Sequence, residues 1–176
     1  MSVLPTELLE RGLSNGEFQL AIAPFVNHVD YIDYERLYKE KHRIYCAADH
    51  HLIPRSEAGI TLDEAASARF VTRTYMHPDD LVHLEGVNVA ASVSSMEAQL
   101  MMILSGHFIG YLADHYAAPW VQRGLIRQLR HPELEFDLQF YLASPRNRPR
   151  SQVFSAFVAD VMAQIGQKDS CALEVT

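Results

Sequence analysis

Residues Ser92–Val121 read SVSSMEAQLMMILSGHFIGYLADHYAAPWV. Ser94 is followed three residues later by Glu97, the spacing of a capping box, which predicts a helix start there. Met96, Leu100, Ile103 and Leu104 then share one helical face until Gly106 supplies a stop. HFIGYL reads as a short strand, and DHYAAPWVQRG as a second helix with Asp114 at its positive end and Gly124 closing it. Strand, helix, strand, helix is the unit of a layered α/β domain. The first helix start is chemically loaded, because free backbone N–H groups and two hydroxyls suit an anion or carboxylate.

The same rhythm continues outward. Upstream, Pro5 sits at a first helical turn, Leu8, Leu9 and Leu13 give the apolar side, and Ser14–Gly16 ends the segment. FQLAIAPF, from Phe18, predicts a buried strand, and ERLYKEKHRIYCAA two extended segments centred on Leu37–Tyr38 and Ile44–Cys46. GITLDEAASARFVTRTY predicts a helix capped by Thr61 with Glu64, then a strand from Arg69 to Tyr75. GVNVAASV, from Gly86, is the strand that leads into the opening helix. Downstream, LIRQL and LEFDLQFYLAS predict two strands, and SQVFSAFVADVMAQIG a last helix buried along Phe154, Phe157, Val158, Val161 and Ile165. QKDSCALEVT reads as a loose tail. Alternating elements predict a mostly parallel sheet covered on both faces, with ligands bound beyond the carboxyl ends of the strands.

Composition narrows the class. The 176 residues are 48% hydrophobic, enough for one domain or two small lobes. With 22 acidic against 15 basic side chains the formal charge is −7, which argues against a free-standing nucleic-acid surface. No run of about eighteen apolar residues suggests a membrane span, and the opening SVLPTELLERG has no signal-peptide pattern. Cys46 and Cys171 show no metal-ligand spacing, which fits a reducing cytoplasm.

NGEFQLAIAPF, YERLYKEKHRIYCAADHHL, GITLDEAASARFVTRTY and SSMEAQLMMILSGHFIGYLADHYAAPWVQRGLIRQL, in that order and spacing, resemble the effector-binding domain of LysR-type transcriptional regulators. The resemblance implies two Rossmann-like lobes of the type 2 periplasmic-binding-protein kind, with a small molecule between them and crossovers near Ala23–Phe25 and Arg130–Phe136. Lobe I would comprise residues 1–24 and 130–176, and lobe II residues 25–129. The family's helix-turn-helix and linker helix have no counterpart in this sequence, nor do its first lobe I strands, so lobe I is expected to be incomplete. Ala113 stands where many relatives carry proline. The implied function is ligand sensing and homo-oligomerisation, with DNA reached only through the family's N-terminal helix-turn-helix; neither a cofactor nor a membrane partner is expected. The alternative is a cytosolic solute-binding protein or a small α/β enzyme on the same architecture.

Six residues are candidate effector contacts: Pro24, Thr72, Arg73, Ser94, Ser95 and Met96. Five of them have a plainer role. Ser94 and Ser95 can be helix caps, Pro24 a hinge lacking an N–H, and Arg73 a solvated cation. Met96, with Met101 and Met102, reads as core filler. The nine histidines, among them His50, His51, His77, His83, His107 and His115, read as surface positions, since neighbours on an extended segment point apart. Cys46 reads as inert packing, and the cluster SPRNRPR, Ser144–Arg150, as a solvated loop.

Overall fold

A computed structural model describes residues 4–53, 59–74, 86–146 and 148–172, with side chains of the final helix described to residue 165. The chain forms two compact units, residues 1–39 with 139–176, and residues 40–138. Two long strands, β2 (Ile32–Ala47) and β7 (Glu135–Pro145), run through the boundaries. The expected pair of extended segments is thus one continuous strand of 16 residues. Thr61–Glu64 and the helix that follows it match the sequence reading, whereas Tyr75, His77 and His83 lie outside the described residues.

In the first unit, α1 (Thr6–Asn15) follows Pro5 and stops at Gly16, whose φ of +84° is open to glycine. The N–H groups of Gly16 and Phe18 both reach the Gly12 carbonyl. Gly12 itself is required by contact, because a Cβ there would lie 2.2 Å from the Phe18 ring. β1 (Ala21–Ala23) pairs antiparallel with Tyr141–Ala143 of β7. It is shorter than the FQLAIAPF run, and it is half-exposed rather than buried, with Ala21 and Ala23 inward and Ile22 outward. Leu13, Ala21, Ala23, Phe25, Ile32 and Ala143 form this unit's core.

α5 (Gln152–Ala172) departs from its expected burial: Phe154, Val158, Val161 and Ile165 are only partly covered, and Phe157 is 50% exposed. It also continues into the stretch read as a tail. The basic loop before it is anchored, since Asp33 accepts from Arg146 at 2.8 Å and from Arg150 at 3.3 Å.

In the second unit the strand order is β2-β5-β3-β4, with β6 (Ile126–Gln128) also pairing β2. β3 (Phe70–Arg73) runs parallel to β4 (Val89–Val93) and β5 (Ile109–Ala113), whereas β2 is antiparallel to β5 and β6. The sheet is therefore mixed and not mostly parallel. In this unit the antiparallel pairs are those of β2 with β5 and with β6.

Alternation along the strands builds a core on each face. Ile44, Cys46, Phe70, Ile109 and Tyr111 point to the side covered by α2 (Leu62–Ser67). Tyr45, Val71, Leu112 and Ile126 point to the side covered by α3 (Met96–Leu104) and α4 (Asp114–Gln122). α2 has the expected capping box, with Glu64 N–H donating to Thr61 Oγ1 and Thr61 N–H donating to Glu64 Oε2.

Candidate functional site

Because β3, β4 and β5 are parallel, their carboxyl ends share one edge of the second unit's sheet. Thr72 and Arg73 lie beside Ser92 and Val93 in the ladder, and the Thr74 N–H reaches the Val93 carbonyl at 2.9 Å. Ser94 and Ser95 follow directly, so the end of β3 and the start of α3 are adjacent.

The cap differs from the expected one. Ser95, not Ser94, is the N-cap, in extended backbone, with its Oγ accepting from Ala98 N–H at 3.2 Å. Glu97 is then the second helical residue and cannot close a capping box. Its charge still favours the positive helix end. Ser94 is left exposed, outside the cap. The N–H groups of Met96 and Glu97, in the first turn, have no helical carbonyl to reach. Met96 sends its side chain into the α3-side core, so its contribution to a site is its main chain.

Arg73 is 6% exposed, so it is not the solvated cation of the plainer reading. The alternation that sends Phe70 and Val71 to opposite faces places Arg73 on the α3 side and Thr72 on the other. The structure thus brings Arg73, Ser94, Ser95 and the Met96 main chain together and sets Thr72 apart. Pro24 belongs to the first unit, just after β1, where the Phe25 N–H bonds the Ala23 carbonyl across it.

The same sheet edge holds a polar cluster that the sequence reading missed. His42 pairs with Ala113 in the ladder and is fully buried. Its Nε2 lies 2.7 Å from Glu40 Oε1, and its ring stacks on Phe136. Next to it, Arg43 bridges Asp114 and Glu135, and the Tyr45 hydroxyl donates to Asp114 at 3.0 Å. Burial pushes the Tyr45 hydroxyl's pKa upward. The available signal was the i, i+2 spacing of Glu40 and His42 on an extended strand. Their shared face is legible only when the strand is read as continuous.

The histidines correct a second expectation. His42 and His50 are buried, and the rings of His50 and His51 sit 4.3 Å apart on a turn and not on opposite faces. Among the described residues no group of three or more His, Cys, Asp or Glu is placed to hold a metal ion. Cys46 is buried, and burial pushes its thiol up to about 12, which keeps it protonated and unreactive. The groups gathered at this end of the sheet are an arginine, serine hydroxyls, main-chain N–H groups and the Glu40–His42 pair.

The sequence profile of the LysR substrate binding domain matches residues 1–165. The chain belongs to this family. A curated relative of this LysR domain is the HTH-type transcriptional activator BauR of Pseudomonas aeruginosa, 30% identical over 158 residues. That match covers 89% of this chain and 52% of BauR, so the chain spans about half the length of the curated relative it matches.

Solved structures share the LysR regulatory-domain fold. The CcmR regulatory domain of Synechocystis PCC6803, in complex with 2-PG, aligns with a TM-score of 0.78 at 21% identity, covering 93% of this chain and 81% of that one. The effector binding domain of QuiR in complex with shikimate aligns at 0.77 and 20% identity, covering 93% and 79%. The reduced form of OxyR from N. meningitidis aligns at 0.72 and 19%, covering 90% and 76%. Among the described residues no helix is long and apolar enough to cross a membrane.

Proposed function

We propose that this LysR substrate-binding domain senses a small anionic metabolite, using the patch formed by Arg73, Ser94, Ser95 and the first N–H groups of α3. The observation that carries this reading is the placement of a buried arginine beside a helix start with two hydroxyls, at the carboxyl ends of parallel strands. A carboxylate or phosphate there meets oriented N–H and hydroxyl donors beside an arginine side chain. Thr72, on the other face of the sheet, is not part of this patch. The two-lobed organisation, homodimerisation, a cytoplasmic setting and DNA contact through a helix-turn-helix elsewhere in the full-length regulator belong to the same proposal. The domain signals by a ligand-shifted equilibrium and carries out no reaction of its own.

The test is titration calorimetry on the full-length regulator with small carboxylates and phosphorylated acids, shikimate and 2-PG included. For a metabolite that the parent binds, Arg73→Gln should weaken affinity by about tenfold or more, as loss of a charge-assisted hydrogen bond does. Ser94→Ala should weaken it without a loss of stability. Unchanged affinity in both variants and in Ser95→Ala would remove the patch from the site.

A further inference from the structure

At the opposite end of the second unit's sheet, the turn after β2 is closed by the His50 N–H on the Ala47 carbonyl and the Ile53 N–H on the His50 carbonyl. A third bond is made by the ring: Leu52 N–H donates to His50 Nδ1 at 3.3 Å. His50 is 3% exposed and Leu52 5%, and Leu52 and Ile53 pack into the core on the α2 side. The His51 ring lies 4.3 Å from that of His50. With His107, from the turn before β5, the two rings line a cavity of ≈ 700 Å³ whose other wall includes Asp63, Glu64 and Arg69.

An acceptor at Nδ1 requires an imidazole with its proton on Nε2. A second proton would set N–H against N–H, destroying the bond to Leu52 and placing charge in a buried position beside two further imidazoles. We propose that His50 is an acid-sensitive latch: uptake of one proton opens the 48–53 turn and releases Leu52 from the core. Burial, then His51, and also His107 hold the His50 pKa below the ordinary histidine value, while Asp49 opposes them. Of the charged groups on the cavity wall, the α2 carboxylates Asp63 and Glu64 favour the charged ring and Arg69 disfavours it. A lowered histidine pKa contributes stability that is complete above the unfolded value of about 6.5, and it is lost as pH falls through the folded value. Acid therefore acts on this domain at the sheet end away from the anion patch.

Hydrogen exchange at the Leu52 and Ile53 amides, corrected for intrinsic rates, reads the latch directly. Between pH 7.5 and 5.5 the wild-type chain should lose protection there, by up to about tenfold per pH unit for one proton taken up. His50→Asn places an Oδ1 acceptor in the same i to i+2 turn bond and does not titrate, so it should hold protection at pH 7.5 and keep it at pH 5.5. Equal losses in the two proteins overturn the proposal. Should His50→Asn fail to fold, the wild-type ring titrated by NMR decides: a midpoint below about 6.5 that rises in His51→Asn supports the latch. A midpoint at or above that value, or one unmoved by His51→Asn, sinks it.

Discussion

Gln99 of α3 donates from its side-chain Nε2 to the main-chain carbonyl of Val71 in β3 at 2.9 Å, with the whole residue buried. The register shifts between Phe70 and Val71, and Gln99 supplies a partner to a carbonyl at that irregularity. Gly110 of β5 leaves the room: a Cβ there would lie 2.8 Å from the Val71 oxygen and 3.1 Å from Gln99 Nε2. One side chain thus ties the first turn of α3 to the strand that ends in Arg73, and so fixes Arg73 relative to the α3 start. Gln99→Ala should cost about 1–3 kcal/mol by leaving a buried carbonyl unpaired. Gly110→Ala should also destabilise, and urea denaturation of the double variant should show non-additive losses, because both changes act on the same contact. Strict additivity would mean that the three groups do not form one unit.

The two serines separate by role. Ser95→Ala removes the cap of α3 and should lower stability by about 1 kcal/mol. Ser94→Ala, at an exposed position outside the cap, should change stability by less than about 0.5 kcal/mol. Thermal melts of the two variants check the assignment. A larger loss at Ser94 would restore the capping box expected from the Ser94–Glu97 spacing.

Element types were largely legible because apolar spacing, Gly106, Gly124 and the Thr61–Glu64 box are local signals. The Ser94–Glu97 box was misplaced by one residue since adjacent serines offer two equivalent caps, and only backbone geometry chooses between them. The parallel sheet failed for a different reason: β2 and β7 pass between the two units, and strand direction is set by long-range pairing that no local pattern records. Of the candidate site, the adjacency of Arg73 to Ser94–Met96 was legible from the rule that strand carboxyl ends and the helix starts after them gather at one end of a parallel sheet. His42 and Glu40 were missed because a histidine in a polar-looking run carries no burial signal until its strand is placed inside the sheet.

Cys46 should be silent to modification. Its thiol, pushed up to about 12 by burial, gives almost no thiolate at pH 8. Iodoacetamide followed by peptide mass mapping should leave the Cys46 peptide unlabelled in the native chain and label it fully in denaturant. Rapid native labelling at that peptide would show that the α2-side core opens readily around it.

α2 has six residues, too few to hold by propensity alone, yet it delivers Ala65 and, just beyond its end, Ala68 to the core. Its capping box carries the burden. Glu64 Oε2 accepts from the Thr61 N–H at 2.9 Å and lies 3.2 Å from Thr61 Oγ1, so the two side chains act on each other as well as on the backbone. Thr61→Ala should destabilise by about 0.5–2 kcal/mol. Glu64→Ala should cost less alone, since it leaves the Thr61 Oγ1 bond to the position-64 N–H in place. In Thr61→Ala the added loss from Glu64→Ala should shrink, because the reciprocal geometry is already gone. Chemical denaturation of the three variants measures that coupling, and a double variant whose loss equals the sum of the single ones would show that the two bonds form independently.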